Sequence, residues 1–113
     1  MHELSLCRAI LGIVNEHLAG RGAAFVKRLT LEVGQLAAVD NHALLFAFDA
    51  IARGTPLKGA VLEIITVPGL ALCAVCQKKT VLQHYYDACQ HCGEFSLSIL
   101  QGEEMRVKSM EIV

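Results

Sequence analysis

Four cysteines in two close pairs constrain this chain more than any other feature. Cys73-Ala-Val-Cys76 is followed, after twelve residues, by Cys89-Gln-His-Cys92. A two-residue gap lets both sulfurs of one turn face a common point, and two such turns brought together offer four thiolates in a tetrahedron. Zinc accepts that geometry, with no redox demand and no d-electron preference. The separation is slightly shorter than the usual 15–20 residues between such pairs, but it is ample for two knuckles joined by a short hairpin. Paired disulfides would need an oxidising compartment, and the N-terminus, with Glu3 and Arg8 among its apolar residues, does not read as a secretory signal. A redox CxxC would be single. Four thiolates leave no open position for water or substrate, which argues for structural rather than catalytic metal. The zinc-deaminase pattern requires proline before its CxxC, and Leu72 stands there.

The segment around these cysteines cannot fold by burial alone. Between Leu70 and Ser96 the larger apolar residues are Leu70, Leu72, Val75, Val81, Leu82, Tyr85, Tyr86 and Phe95. Metal binding must therefore supply the folding energy, on the order of 10–16 kcal/mol for such sites.

A length of 113 residues suits one compact core plus one small stapled module. The hydrophobic fraction, 54%, is high, yet no apolar run reaches the roughly 18 residues of a membrane helix. The expectation is an untargeted cytoplasmic protein with no membrane partner. Formal net charge is −1. In the cysteine segment Lys78 and Lys79 balance Asp87 and Glu94, so the basic face that phosphate binding requires is missing and nucleic acid is not an expected partner.

Along the chain, Leu4, Cys7, Leu11, Val14 and Leu18 recur at alternating spacings of three and four, flanked by Leu6 and Ile10, which predicts a helix over 4–19 ended by Gly20 and Gly22. Cys7 lies within that stripe and reads as a small buried hydrophobe. Residues 25–33 alternate, with Leu29, Leu31 and Val33 opposite Arg28, Thr30 and Glu32, as a half-buried strand does. Asp40 is placed to cap a second helix over 41–53, with Leu44, Leu45, Phe48, Ile51 and Ala52 on its buried face and Gly54 and Pro56 beyond it. Val61–Val67 is apolar on both alternating sets and reads as a central strand covered on both faces. Residues 105–112 read as a third strand. The predicted class is α+β: two helices on a small mixed three-stranded sheet, with an inserted four-cysteine zinc-ribbon-like module. The first two strands would be parallel through a helical crossover, and the second and third antiparallel if adjacent. An α/β domain of residues 1–69 and 97–113 is thus interrupted by a metal module of residues 70–96.

The opening Met1-His2-Glu3 is a separate feature. A free terminal amine, the His2 amide nitrogen and the His2 imidazole can close fused chelate rings on one metal, with Glu3 or another group completing the plane. Deprotonated amide nitrogens favour square-planar nickel(II) or copper(II) over zinc. The chelate requires that Met1 be retained, which a bulky second residue favours. By itself a histidine at position 2 is weak evidence, and a solvated, frayed terminus is the simpler reading of it.

Met1-His2-Glu3-Leu4-Ser5-Leu6, Glu32-Val33-Gly34, the two CxxC pairs and Val107-Lys108-Ser109-Met110-Glu111 together resemble the HypA/HybF family of hydrogenase maturation nickel chaperones over essentially the whole length. The resemblance implies transferable Ni(II) at His2 with Met1 and Glu3 contributing, and structural Zn(II) on Cys73, Cys76, Cys89 and Cys92. It implies a HypB-type GTPase as partner and the large subunit of a [NiFe] hydrogenase as recipient, and it leaves homodimerisation and service to urease open. His84 and His91, in or beside the module, are candidate accessory groups, with plain surface placement as the simpler reading. The competing class is a zinc-ribbon adaptor that binds protein without transferring metal. An enzyme is not expected, because no Ser/His/Asp set, phosphate loop or open metal site is visible.

Overall fold

The computed structural model describes residues 3–22 and 24–113. The elements in order are α1 (Glu3–Leu18), β1 (Val26–Gly34), a 3-10 turn (Gln35–Ala37), α2 (Asn41–Ala52), β2 (Val61–Val67), β3 (Gly69–Cys73), β4 (Lys79–Leu82), β5 (Leu97–Gln101) and β6 (Met105–Ile112). The α+β class is as the patterning predicts, and both helices and the strands β1, β2 and β6 fall within a residue or so of their expected limits.

The chain forms two compact units. The first holds residues up to Leu31, Val39–Ile64 and Val107–Val113. In it α1 packs on α2. Leu6, Cys7, Ile10, Val14 and Leu18 are the buried stripe of α1, and they share a core with Leu44, Phe48 and Ala52 of α2, Val26, Leu29 and Leu31 of β1, and Leu57. The Asp40 carboxylate accepts from the backbone N–H groups of His42 and Ala43, at 2.9 and 3.2 Å, and so caps α2. Leu45 departs from expectation. It lies on the exposed side of α2, one residue round the helix from the buried Leu44.

The first sheet has the order β2-β1-β6. β1 is therefore the central strand and β2 an edge strand, which corrects the reading of β2 as central; no residue of β2 is fully buried. β2 and β6 are not neighbours. β1 and β6 run antiparallel, since Val113 N–H donates to Phe25 and Gly34 N–H donates to Glu104, so one strand retreats as the other advances. The central position explains why Thr30 is buried beside Leu29 and Leu31 although the alternation placed it on a solvated face.

The second unit holds Glu32–Ala38 and Ile65–Arg106. It contains a second three-stranded sheet, β4-β3-β5, antiparallel throughout, with a bulge between Leu70 and Ala71 where β3 meets β5. Its apolar cluster is small: Leu36, Ala71 and Leu82, with Leu97 and Ile99 packed against them. Three glycines let backbones approach in this unit. A Cβ on Gly34 would run into the Gly102 carbonyl, one on Gly69 into the Leu82 carbonyl, and one on Gly102 would sit 2.6 Å from the Gly69 Cα.

Candidate metal centre

The two cysteine pairs sit on matching turns. Cys73 ends β3, and its N–H donates to the Lys78 carbonyl at 3.0 Å while its own carbonyl accepts from Gln77 N–H at 2.9 Å. In the second turn Cys89 N–H donates to the Glu94 carbonyl at 2.8 Å and the Cys89 carbonyl accepts from Gly93 N–H at 2.9 Å. The residue after each second cysteine is left-handed: Gln77 at φ 62° and Gly93 at φ 78°. Two copies of one backbone knuckle thus present their sulfurs, and glycine carries the left-handed position at lower strain than glutamine does. Gln77 offsets part of that strain, since its side-chain amide donates to the Ala74 carbonyl at 2.8 Å.

The four sulfurs lie within 4.8 Å of one another. Cys73 Sγ is 3.6 Å from Cys92 Sγ, and Cys76 Sγ is 3.7 Å from Cys89 Sγ. A tetrahedron with metal–sulfur bonds of about 2.3 Å has edges of about 3.8 Å. The donor set and its spacing therefore fit a four-coordinate thiolate metal, of which zinc is the usual member. No disulfide links the described cysteines. Cys73 and Cys89 are buried and Cys92 is exposed, so the cluster lies at the surface with one side turned inward.

The protein prepares the thiolates unevenly. Burial pushes the Cys89 thiol up, but the N–H groups of His91 and Cys92 and the neighbouring Cys76 and Cys92 thiols outweigh it and bring it down to about 6. The His91 N–H lies 3.4 Å from Cys89 Sγ. At Cys92 the Glu94 N–H favours the thiolate, but desolvation and the Cys73, Cys89 and Cys76 sulfurs outweigh it and push the thiol up to about 12. Without a cation the Cys89 and Cys92 thiols are driven in opposite directions. A divalent ion removes that conflict.

Thr80 is a supporting residue that sequence patterning did not single out. It is 1% exposed, and its hydroxyl accepts from Gln90 N–H at 3.0 Å, which ties β4 to the second knuckle. A lone threonine in a short strand carries no distinguishing signal. His91 places Nε2 3.0 Å from the Lys79 carbonyl. His84 stacks on Tyr86 with ring centroids 4.8 Å apart and sets Nδ1 3.6 Å from Asp87 Oδ1. Neither histidine joins the four-sulfur cluster.

Of the expected nickel ligands, Met1 and His2 lie outside the described residues, and Glu3 is the first residue of α1, half-buried. Cys7 is fully buried in the stripe of α1. Burial, then the Glu3 charge, raises its thiol pKa, and its sulfur points to the Leu44 carbonyl at 3.8 Å.

A family model described as hydrogenase/urease nickel incorporation, metallochaperone, HypA matches residues 1–112. The chain belongs to the HypA family. The hydrogenase maturation factor HypA of Legionella pneumophila is 46% identical over 112 residues, covering 99% of both chains, and that of Acidithiobacillus ferrooxidans is 45% identical over the same span and coverage. Among solved structures, the Ni metallochaperone HypA from Helicobacter pylori matches with a TM-score of 0.69 at 26% identity, over 100% of this chain and 98% of that one. The family is one of nickel-incorporating metallochaperones that act in hydrogenase maturation. Among the described residues no helix is long and apolar enough to cross a membrane.

Proposed function

We propose that this chain is a cytoplasmic nickel carrier with two chemically distinct metal sites. Zinc is held by Cys73, Cys76, Cys89 and Cys92 in a module centred on residues 70–96 and stays in place. Nickel is held at the terminus by the Met1 amine, the His2 amide and imidazole, and Glu3, and is passed on from the domain formed by residues 1–69 and 97–113. A HypB-type GTPase cooperates in delivery to the large subunit of a [NiFe] hydrogenase. His84, whose ring nitrogens are less engaged than those of His91, is the better candidate for an accessory contact during transfer.

The observation that carries this reading is the closed donor set of the cluster. Four thiolates of the right spacing saturate one tetrahedral ion, so a cargo metal needs other ligands. α1 begins at Glu3, and this supports a chelate on the residues that open it. An amine and an imidazole lose metal as pH falls, because protons compete for the same lone pairs. That makes a terminal site releasable while the thiolate site stays loaded.

The test is nickel titration of zinc-loaded protein and of its His2→Ala variant, read by calorimetry and nickel absorption. One nickel per chain bound by the parent and lost in the variant, with zinc retained, is the expected result. Nickel binding that survives the substitution moves the site to other residues. No nickel binding by either protein favours a zinc-ribbon adaptor that transfers nothing.

A further inference from the structure

The second unit carries a groove of about 270 Å³ that has no part in the metal cluster. Gln35, Leu36 and Ala38 form one wall and residues 83–86 the other. Leu36, 4% exposed, closes the floor as part of the small apolar cluster. The volume falls just below the roughly 300–1,000 Å³ of small-molecule and cofactor sites. It suits one long side chain better than a cofactor.

The rings on the rim are exposed yet held. Tyr85 is 57% and Tyr86 73% exposed. His84 lies on Tyr86 with their planes only 8° apart. The Tyr85 hydroxyl donates to Glu103 Oε2 at 2.6 Å. The Asp87 carboxylate accepts from the Gln83 and His84 N–H groups at 2.9 and 3.1 Å, which fixes the turn that presents the rings. Solvent-facing aromatics pinned in place lose little conformational entropy when something binds them, and tyrosine is prominent among residues that anchor interfaces.

The charge around the rings has one sign. No Lys or Arg lines the groove among the described residues, while Glu103 and Asp87 are hydrogen-bonded to residues that do line it. The unit as a whole has Lys78, Lys79 and Arg106 against Glu32, Asp87, Glu94, Glu103 and Glu104, a net charge of −2. Arg106 is already paired with Glu32 at 2.9 Å.

From this geometry and charge we infer that the groove docks an arginine-bearing polypeptide segment of a protein partner, the guanidinium lying on the His84–Tyr86 rings and pairing with Glu103. A guanidinium matches both halves of the surface. It is flat enough to stack on an aromatic face, and its fork of N–H donors fits a carboxylate. The inference does not depend on where nickel binds.

The chain has two tyrosines and no tryptophan, so intrinsic fluorescence reports from this groove alone. Zinc-loaded, nickel-free protein is titrated with an acetylated, amidated pentapeptide in which arginine alternates with glycine. The control peptide replaces arginine by citrulline, its neutral counterpart of the same shape. A saturable tyrosine response with Kd on the order of 1 mM or tighter is expected for the arginine peptide. Citrulline, and separately Glu103→Gln, is expected to weaken it on the order of tenfold. Tyr86→Phe keeps the response and Tyr86→Ala loses it, with zinc content unchanged in both. A flat titration at about tenfold that concentration overturns the inference. So does equal binding of the citrulline peptide, or an unchanged Kd in Glu103→Gln. Because nickel is absent, failure of the terminal nickel site leaves each of these outcomes readable.

Discussion

In the first unit the large apolar side chains Ile10, Leu29, Leu44 and Phe48 are at most 2% exposed, and both helices turn a full stripe toward them. In the second unit Val75, Val81, Tyr85, Tyr86 and Phe95 stand open to solvent, and little more than Leu36, Ala71 and Leu82 is covered. One unit is held by the removal of apolar surface from water, worth about 25 cal/mol per Å². The other has too little covered surface for that and closes on four sulfurs instead. The difference means that different insults should break each unit.

Metal removal should give the largest effect and the sharpest contrast. Stripping the cluster with a strong chelator under reducing conditions forfeits on the order of 10–16 kcal/mol of binding energy that is also folding energy. Amide hydrogen exchange is then expected to speed up across residues 69–101 and to stay slow in residues 6–18 and 44–52. Protection that persists over 69–101 after metal loss would show that Leu36, Ala71 and Leu82 suffice, and the contrast between the units would collapse.

The converse insult is a cavity in the first unit. Phe48 is 2% exposed and among the largest fully buried side chains, so Phe48→Ala is expected to cost about 3–5 kcal/mol. Against a typical total of about 5–15 kcal/mol that is a large fraction. Denaturant titration should show the loss, while a colorimetric assay should still find one metal per folded chain. A cost below about 1 kcal/mol would mean that the core repacks freely around the site.

The same contrast decides what could be read from the sequence. α1, α2, β1 and β6 carry periodic signals and β2 is a short apolar run, bounded by Gly20, Asp40, Gly54 and Pro68, and local chemistry alone placed them. The knuckles were legible for a similar reason, because a CxxC pair is a local pattern with one dominant geometry. The strands β3, β4 and β5 were not. Leu70-Ala71-Leu72 and Leu97–Gln101 are short, and they become a sheet through pairing with one another rather than through their own alternation. Strand order was equally hidden. An apolar run on both faces suggested that β2 is central, but which strand takes the centre is set by long-range pairing, and β1 takes it, burying Thr30 as a consequence. Leu45 shows the limit of helical periodicity: Leu44 and Leu45 are equally apolar, and only packing decides which turns inward. Tyr85 and Tyr86 read as apolar content of a poor core, whereas their exposure makes them a surface.

A smaller perturbation refines the comparison by adding an atom instead of removing several. Gly102 sits at φ 110°, and a Cβ there would lie 2.6 Å from the Gly69 Cα, a backbone atom that cannot rotate away. Its carbonyl accepts from Leu36 N–H at 2.9 Å, so any shift propagates to the floor of the small apolar cluster. Gly102→Ala is expected to cost about 1–3 kcal/mol through left-handed strain and crowding. The first unit should not register the change, while zinc transfer to a competing colorimetric chelator should become faster than in the parent. In a unit packed by side-chain volume an added methyl can be absorbed by a neighbour's rotamer, but here the two nearest neighbours are backbone atoms of Gly69. Unaltered zinc transfer in Gly102→Ala would show that the knuckles hold their metal independently of the sheet beneath them, and the second unit would then be two parts rather than one.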